Sequence, residues 1–419
     1  MHTSKNKKFY FTKKPFEECL NLLRSKSLLS YLEIELTERC NNNCIHCYIN
    51  KLANDSNAKN KEFSTDELKK LFTEAVSLGC IDLKLTGGEP LLRKDFEELY
   101  IFARKLGLKV TIFTNASLVT PHLAKLFTRI PPLENIAVTM YGMKKKTHEA
   151  ITRARTFEAT KRGIKLLVEN NVPLIARTLT FPQNINELDE FESFTKTIPW
   201  MNTDDIGYGM FFCLRRGCDS EEKNALIKSI RISPEEAIKI YELNKDRETK
   251  AARRLFLSCK RLKGSTLFDC SAGRGNCSVS GCGNLLMCHM LMHPETIYDL
   301  RKGCLEDALL NFFPKIREKK ATNPEYLKRC AVCFLKSICI SCPAHSWQQH
   351  GNLDTPVEYF CQAAHTHARY FGILKKGEMA WEVKDWKQRI DRFVQKVAVV
   401  NNQKGENDNE KKCEPRCDL

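Results

Sequence analysis

The sequence predicts an α/β protein: a partial, TIM-like (β/α)6 barrel followed by a small cysteine-dense domain. Three observations predict it. Between Tyr31 and Phe212, short runs rich in β-branched and aromatic residues alternate with helical patterns, the signature of βαβ units and a parallel sheet. After Cys213 that rhythm stops. And the chain carries 20 cysteines in 419 residues, most densely between Cys270 and Cys361.

The elements follow in order. Residues 1–30 form a basic lead-in with one amphipathic stretch from Pro15 to Leu29. Tyr31–Thr37 alternates as a strand should. Ser64-Thr-Asp-Glu67 is a capping box opening a helix with an apolar face at Leu68, Leu71, Phe72, Ala75 and Leu78, stopped by Gly79. Ile81–Thr86 is the second strand, Asp95–Leu106 a helix ended by Gly107, and Leu108–Thr114 the third strand. Asn135–Met140, Pro173–Thr180 and Ile206–Phe212 complete six strands, with helices at Phe157–Asn170 and Glu187–Thr197. Ser233-Pro-Glu-Glu236 starts a further helix, reaching about Lys245. Asn276–Met287 reads as two short strands around Gly281-Cys-Gly283, and Met379–Val397 as a terminal helix. The expected organisation is a barrel over 31–215, a helical bridge over 216–265, the cysteine-dense domain over 266–370, a helix within 371–399 and a polar, disordered tail over 400–419 that carries Cys413 and Cys417.

Composition narrows the class. Hydrophobic residues make up 42% of the chain, enough for a sizeable core, and no apolar run approaches the ~20 residues of a membrane span. The Lys-rich start lacks the apolar core of a secretory signal, so the expectation is a cytoplasmic protein without a membrane partner. The net charge of +16 suits a solvated surface, an acidic peptide or an anionic small molecule. No aromatic-interleaved basic stripe or nucleic-acid motif accompanies it. Tight cysteine spacings in a long chain without a secretory signal argue for metal or iron–sulfur ligation over a disulfide scaffold.

The chemistry collects at strand ends, where a parallel barrel places its functional residues. Cys40-Asn-Asn-Asn-Cys44-Ile-His-Cys47 follows the first strand directly. Three thiolates on one loop hold three corners of a four-iron cubane and leave one iron open. A ferredoxin or structural zinc site would close its metal with four ligands, and His46 is too near Cys47 to turn to the same metal. Gly87-Gly-Glu-Pro90 ends the second strand, two glycines for close backbone approach and Glu89 for a cationic group. Thr114-Asn115, Thr139 and Arg177 are polar groups on the third, fourth and fifth strands.

These motifs resemble the radical SAM superfamily, including His46 before the last cysteine and Tyr48 after it. The resemblance implies a [4Fe–4S] cluster on Cys40, Cys44 and Cys47 whose open iron chelates S-adenosylmethionine. One electron, from a donor such as flavodoxin or ferredoxin, then releases a 5′-deoxyadenosyl radical that abstracts a substrate hydrogen. It further implies cofactor contacts from His46, Gly87, Gly88, Glu89, Pro90, Thr114, Asn115, Thr139 and Arg177. Where the family often has Thr-Asn-Gly, this chain has Ala116.

The C-terminal cysteines resemble the SPASM domain. Cys270 is followed by Gly283 and Cys288, then by Cys330-x2-Cys333-x5-Cys339-x2-Cys342 and Cys361. The family's last gap is usually three residues. The resemblance implies two auxiliary [4Fe–4S] clusters, three clusters in all. One takes Cys270, Cys288, Cys342 and a fourth ligand, Cys277 with Cys282 as competitor. The other takes Cys330, Cys333, Cys339 and Cys361. Enzymes of this layout mostly modify ribosomally made peptides or proteins by crosslinking or oxidation, which implies a peptide or protein substrate. About thirty residues before the barrel are too few for a leader-binding domain, which leaves room for a separate leader-binding protein. Tailoring of a tetrapyrrole or small cofactor is the alternative enzyme reading, and a metal-stapled nucleic-acid binder the alternative of another class. Cys213 and Cys218 lie just past the sixth strand, near the expected mouth of the site.

Overall fold

Strict alternation in Leu29–Thr37 builds the first strand, β1, which sends Leu32, Ile34 and Leu36 into a fully buried layer and Glu33 and Glu35 to the opposite face. The computed structural model describes residues 27–49, 51–201, 208–210, 212–216, 218–259 and 262–403. Two short strands, β2 (Arg39–Cys40) and β3 (Lys51–Leu52), pair in parallel beyond the end of β1. Helix α1 (Thr65–Ser77) begins with both halves of its capping box formed, Ser64 to Glu67 and back. It leads to β4 (Asp82–Gly87), α2 (Phe96–Lys105) and β5 (Lys109–Thr114).

A helix without an assigned counterpart in the sequence reading, α3 (Pro121–Arg129), connects β5 to β6 (Leu133–Thr139). Its signal was present: Thr120 caps the N–H of Leu123 and Pro121 stands at the first turn. After α4 (Lys145–Thr152) and α5 (Phe157–Glu169) come β7 (Leu174–Leu179), α6 (Leu188–Thr195) and β8 (Tyr208–Gly209). The expected sixth strand began at Ile206; residues 206, 207 and 211 lie outside the described residues, as do most of the stretch from Pro15 and the tail beyond 403.

Strands β1, β4, β5, β6, β7 and β8 pair in that order, all parallel. They form the expected partial barrel, with the helices packed on the layer of Leu32, Leu83, Leu85, Val110 and Ile112. Helices α7 (Glu221–Ile230), α8 (Pro234–Leu243) and α9 (Lys245–Ser258) follow. The cysteine-dense region then returns to the same sheet. Strand β9 (Gly275–Val279) pairs parallel to β1, and β10 (Asn284–Leu286) and β11 (Ile297–Asp299) add antiparallel strands outside it, for nine in all. Two helices, α10 (Pro343–His350) and α11 (Glu358–Tyr370), occupy what looked aperiodic. The last helix, α12 (Trp386–Gln403), starts seven residues later than Met379, because Asp385 makes the break: its carbonyl accepts the Arg389 N–H and its carboxylate pairs with the Arg389 guanidinium. Among the described residues no helix is long and apolar enough to cross a membrane.

Candidate active site at the barrel strand ends

The loop from Cys40 to Cys47 is held from all sides. Its backbone bonds α4, Asn43 N to Thr152 O and Ile45 N to Ile151 O at 2.9 Å each. The Asn41 amide donates to Ser117 Oγ at 2.8 Å, and Thr156 Oγ1 donates to Asn42 Oδ1 at 3.0 Å. Lys223 Nζ, on α7, reaches Ile45 O at 2.8 Å, and Arg215 Nη1, on the segment before that helix, reaches Tyr48 O at 2.6 Å. Sequence reasoning missed Lys223 and Arg215, because nothing local marks a residue that acts some 170 positions away.

Cys40 and Cys47 are both electrostatic neighbours of Cys44, so the three thiols share one space. Burial pushes the Cys40 thiol up to about 12 and raises Cys44 as well. As free thiols they stay protonated at neutral pH, and a positively charged iron centre is what would hold them as thiolates. His46 sits in an aromatic cage, its ring 4.9 Å from those of Tyr141 and Phe181 and its Nε2 3.0 Å from the Tyr141 hydroxyl. Burial lowers its pKa to about 3, so it is neutral, and its buried Nδ1 has no partner among the described residues.

Gly87 and Gly88 bring the end of β4 onto the segment just before Cys40. The N–H of Gly88 bonds Thr37 O and that of Glu89 bonds Arg39 O, both at 2.8 Å. A Cβ at either glycine would stand 2.2 Å from a backbone oxygen, Thr37 O or Arg39 O, and Gly87 also adopts φ +132°. Pro90 opens the short turn that follows. The Glu89 carboxylate is fully buried and accepts from Thr114 Oγ1 (2.7 Å), Asn115 N (2.8 Å) and Leu91 N (3.1 Å). It ties β4 to β5. Burial raises its pKa to about 7, against these three donors.

Asn115 stands beside the cluster loop, its amide donating to Asn41 Oδ1 at 2.8 Å with Cys40 Sγ 4.0 Å away. Ala116 takes φ +59°, the conformation a glycine would have eased. Thr139 and Arg177 are paired in register on β6 and β7. The Arg177 guanidinium lies over the Phe113 ring at 5.2 Å, and among the described residues no carboxylate pairs with it. On the same sheet face, Lys84 Nζ lies 3.9 Å from the Phe113 centroid and 3.2 Å from Glu33, which His289 approaches at 3.7 Å. Glu35 accepts from Tyr48 at 2.5 Å and from Gly281 N at 3.2 Å. This interior of mixed charge escaped the sequence reading, since alternation alone marks such positions as solvent-facing.

Of the C-terminal cysteines, Cys330, Cys333, Cys339 and Cys361 line one small pocket together with Lys336 and His365. Arg329, paired with Glu358, donates to Cys361 Sγ at 3.7 Å. Cys288 has Cys342 and Cys270 as electrostatic neighbours, so these three also meet. Cys277, an expected ligand, is buried in the core. It lies on β9 and has Cys80 as its electrostatic neighbour. Among the described residues no three His, Cys, Asp or Glu side chains are placed to hold a single metal ion. Thiols ringing a cavity are a donor set for something larger, such as a multi-iron cluster.

Residues 34–195 match the radical SAM superfamily. The particular likenesses diverge. In sequence the chain is 27% identical to the AdoMet-dependent heme synthase of Methanosarcina barkeri, over 76% of this chain and 92% of that one. It is 31% identical to the Fe-coproporphyrin III synthase of the same organism over 36% of this chain and 37% of that protein. In structure it resembles native anSMEcpe with bound AdoMet (TM-score 0.59, 15% identity, 88% of this chain and 99% of that chain). It also resembles Streptococcus suis SuiB bound to the precursor peptide SuiA (TM-score 0.58, 17% identity, 86% of this chain and 84% of that chain).

Proposed function

We propose that the chain reductively cleaves S-adenosylmethionine and uses the resulting radical to modify a ribosomally made peptide or protein. The observation that carries the first half is the loop itself: three convergent thiols immediately after β1, with the Gly87–Glu89 backbone hydrogen-bonded to the same segment. Cys40, Cys44 and Cys47 would hold a [4Fe–4S] cluster, which supplies the electron that breaks the sulfonium bond. Around it, His46, Gly87, Gly88, Pro90, Asn115, Thr139 and Arg177 line the approach to S-adenosylmethionine. Glu89 and Thr114 position those strand ends, and the Arg177 guanidinium, stacked over Phe113 and without a carboxylate partner among the described residues, would meet the carboxylate of the cofactor. An interior of Glu33, Lys84 and His289 offers both signs of charge to a zwitterionic cofactor and a polar substrate. The C-terminal region is read as a SPASM domain with two auxiliary clusters that take up or relay the electron left after hydrogen abstraction. A flavodoxin- or ferredoxin-type protein would reduce the first cluster, in the cytoplasm, and a separate leader-binding protein would present the peptide.

The test is anaerobic. Reconstituted protein should carry roughly twelve irons, three four-iron clusters, and form 5′-deoxyadenosine when reduced with S-adenosylmethionine. Deoxyadenosine that survives replacement of Cys40, Cys44 and Cys47 by Ala rejects the assignment. A second reading, tailoring of a tetrapyrrole, is favoured by the 27% identity to a heme synthase along 92% of its length. Supplying either an iron tetrapyrrole with propionate side chains or the small peptides encoded beside the gene separates the two. The true substrate loses hydrogen, detected by mass, and transfers deuterium to deoxyadenosine.

A further inference from the structure

We infer that Cys213, on the segment leaving the last barrel strand, is the fourth thiolate of the cluster held by Cys270, Cys288 and Cys342. This rests on the reading of the C-terminal region as a carrier of iron–sulfur clusters. A four-iron cluster closed by protein takes four thiolates; three are expected here from Cys270, Cys288 and Cys342, and Cys288 has the other two as electrostatic neighbours. Both expected fourth ligands have other surroundings. Cys277 is 2% exposed in the apolar core and faces Cys80. Cys282 sits in the hairpin turn, its sulfur engaged with Ser280 Oγ at 3.2 Å and Asn284 Nδ2 at 3.4 Å.

Cys213 comes from elsewhere in the chain and arrives at the right place. Its Sγ is 3.6 Å from the carbonyl oxygen of His345, whose Nδ1 is 3.7 Å from Cys342 Sγ. Cys342 is the N-cap of α10 and His345 lies in that helix's first turn, so Cys213 and Cys342 flank the same turn. Cys342 is also an electrostatic neighbour of Cys213. Two residues on, Arg215 Nη2 reaches Met292 Sδ at 3.4 Å, on the stretch that follows Cys288. The segment is thus pinned against both pieces of chain that deliver the other ligands. Ligation forms one Fe–S bond and releases the thiol proton to solvent, with no change in oxidation state. Because Arg215 also holds Tyr48 O beside Cys47, the same segment would link the two cluster sites.

The experiment uses the full chain with Cys40, Cys44 and Cys47 replaced by Ala, reconstituted anaerobically, so that only auxiliary clusters report. That parent should hold roughly eight irons, two four-iron clusters. Adding Cys213→Ala should strip or convert one of them, read as lost iron and a three-iron signal by Mössbauer and electron paramagnetic resonance, while Cys277→Ala leaves the spectra unchanged. Cys213→Asp, which can ligate through oxygen, should keep the iron and shift the resonance of one cluster. Should Cys213→Ala fail to fold, the Asp variant decides: a shifted spectrum supports ligation, an identical one refutes it. Unchanged spectra in Cys213→Ala, or cluster loss in Cys277→Ala, overturn the inference alone. A parent without auxiliary iron overturns the reading beneath it as well.

Discussion

Glu89 accepts the backbone N–H of Asn115 at 2.8 Å, so one buried carboxylate joins the end of β4 to the end of β5. With Thr114 and Leu91 it satisfies three donors in a dry setting. Glu89→Ala leaves them unpaired, at about 1–3 kcal/mol for each donor that water cannot reach. We expect a loss of roughly 2–4 kcal/mol in denaturant unfolding, and weaker S-adenosylmethionine binding because Asn115 stands beside Cys40. Glu89→Gln, which keeps an acceptor oxygen, should lose less of both.

Glu35 and Glu89 make stability depend on pH in an uncommon direction. Burial raises each to about 7 from the ordinary 4.5. The folded chain therefore holds protons that the unfolded chain releases between these values. Their contribution is complete below about 4.5 and is lost as pH rises through about 7. Each accounts for at most about 3 kcal/mol. Unfolding free energies measured from pH 5 to 8 should fall, and the slope should flatten in Glu35→Gln.

The two glycines after β4 differ in kind from Gly107. An Ala at position 88 puts its Cβ 2.2 Å from Arg39 O and 2.5 Å from Arg39 C, both backbone atoms that cannot swing aside. Gly88→Ala should displace the loop, giving protein that retains fewer irons and makes little deoxyadenosine. Gly107, at φ +85° with nothing within 4 Å of a new Cβ, should tolerate Ala at a cost of about 1 kcal/mol and with activity intact.

Cys330, Cys333, Cys339 and Cys361 line one small pocket with Trp381 at its edge, and a cluster held by these thiolates would brace the surrounding chain. Cys333→Ala, or prolonged iron chelation, should expose the region between Cys330 and Trp381 to protease well before the barrel is cut. Equal protease resistance with and without iron would speak against a cluster at that site.

Much of this architecture is written locally. The capping box at Ser64, the glycine stop at Gly79 and the alternation in β1 act between residues a few positions apart, and each appears where the sequence puts it. The cysteine spacing of the Cys40 loop is equally local. Charged residues on the concave face were not legible: Glu33, Glu35 and Lys84 occupy the alternate positions that an open sheet would present to water, and only closure of the barrel buries them.

The sequence by itself determined the strand–helix order, the three thiols after β1 and the run of cysteines from Cys330 to Cys342, because propensity, capping and ligand spacing operate over short distances. Only the tertiary structure decided that β9 extends the barrel sheet beside β1. That register turns Cys277 into the core next to Cys80, and the return of the chain sets Cys213 against the turn that carries Cys342. The physical reason is that strand pairing, which carries no local signature across 245 residues, fixes which way each side chain points.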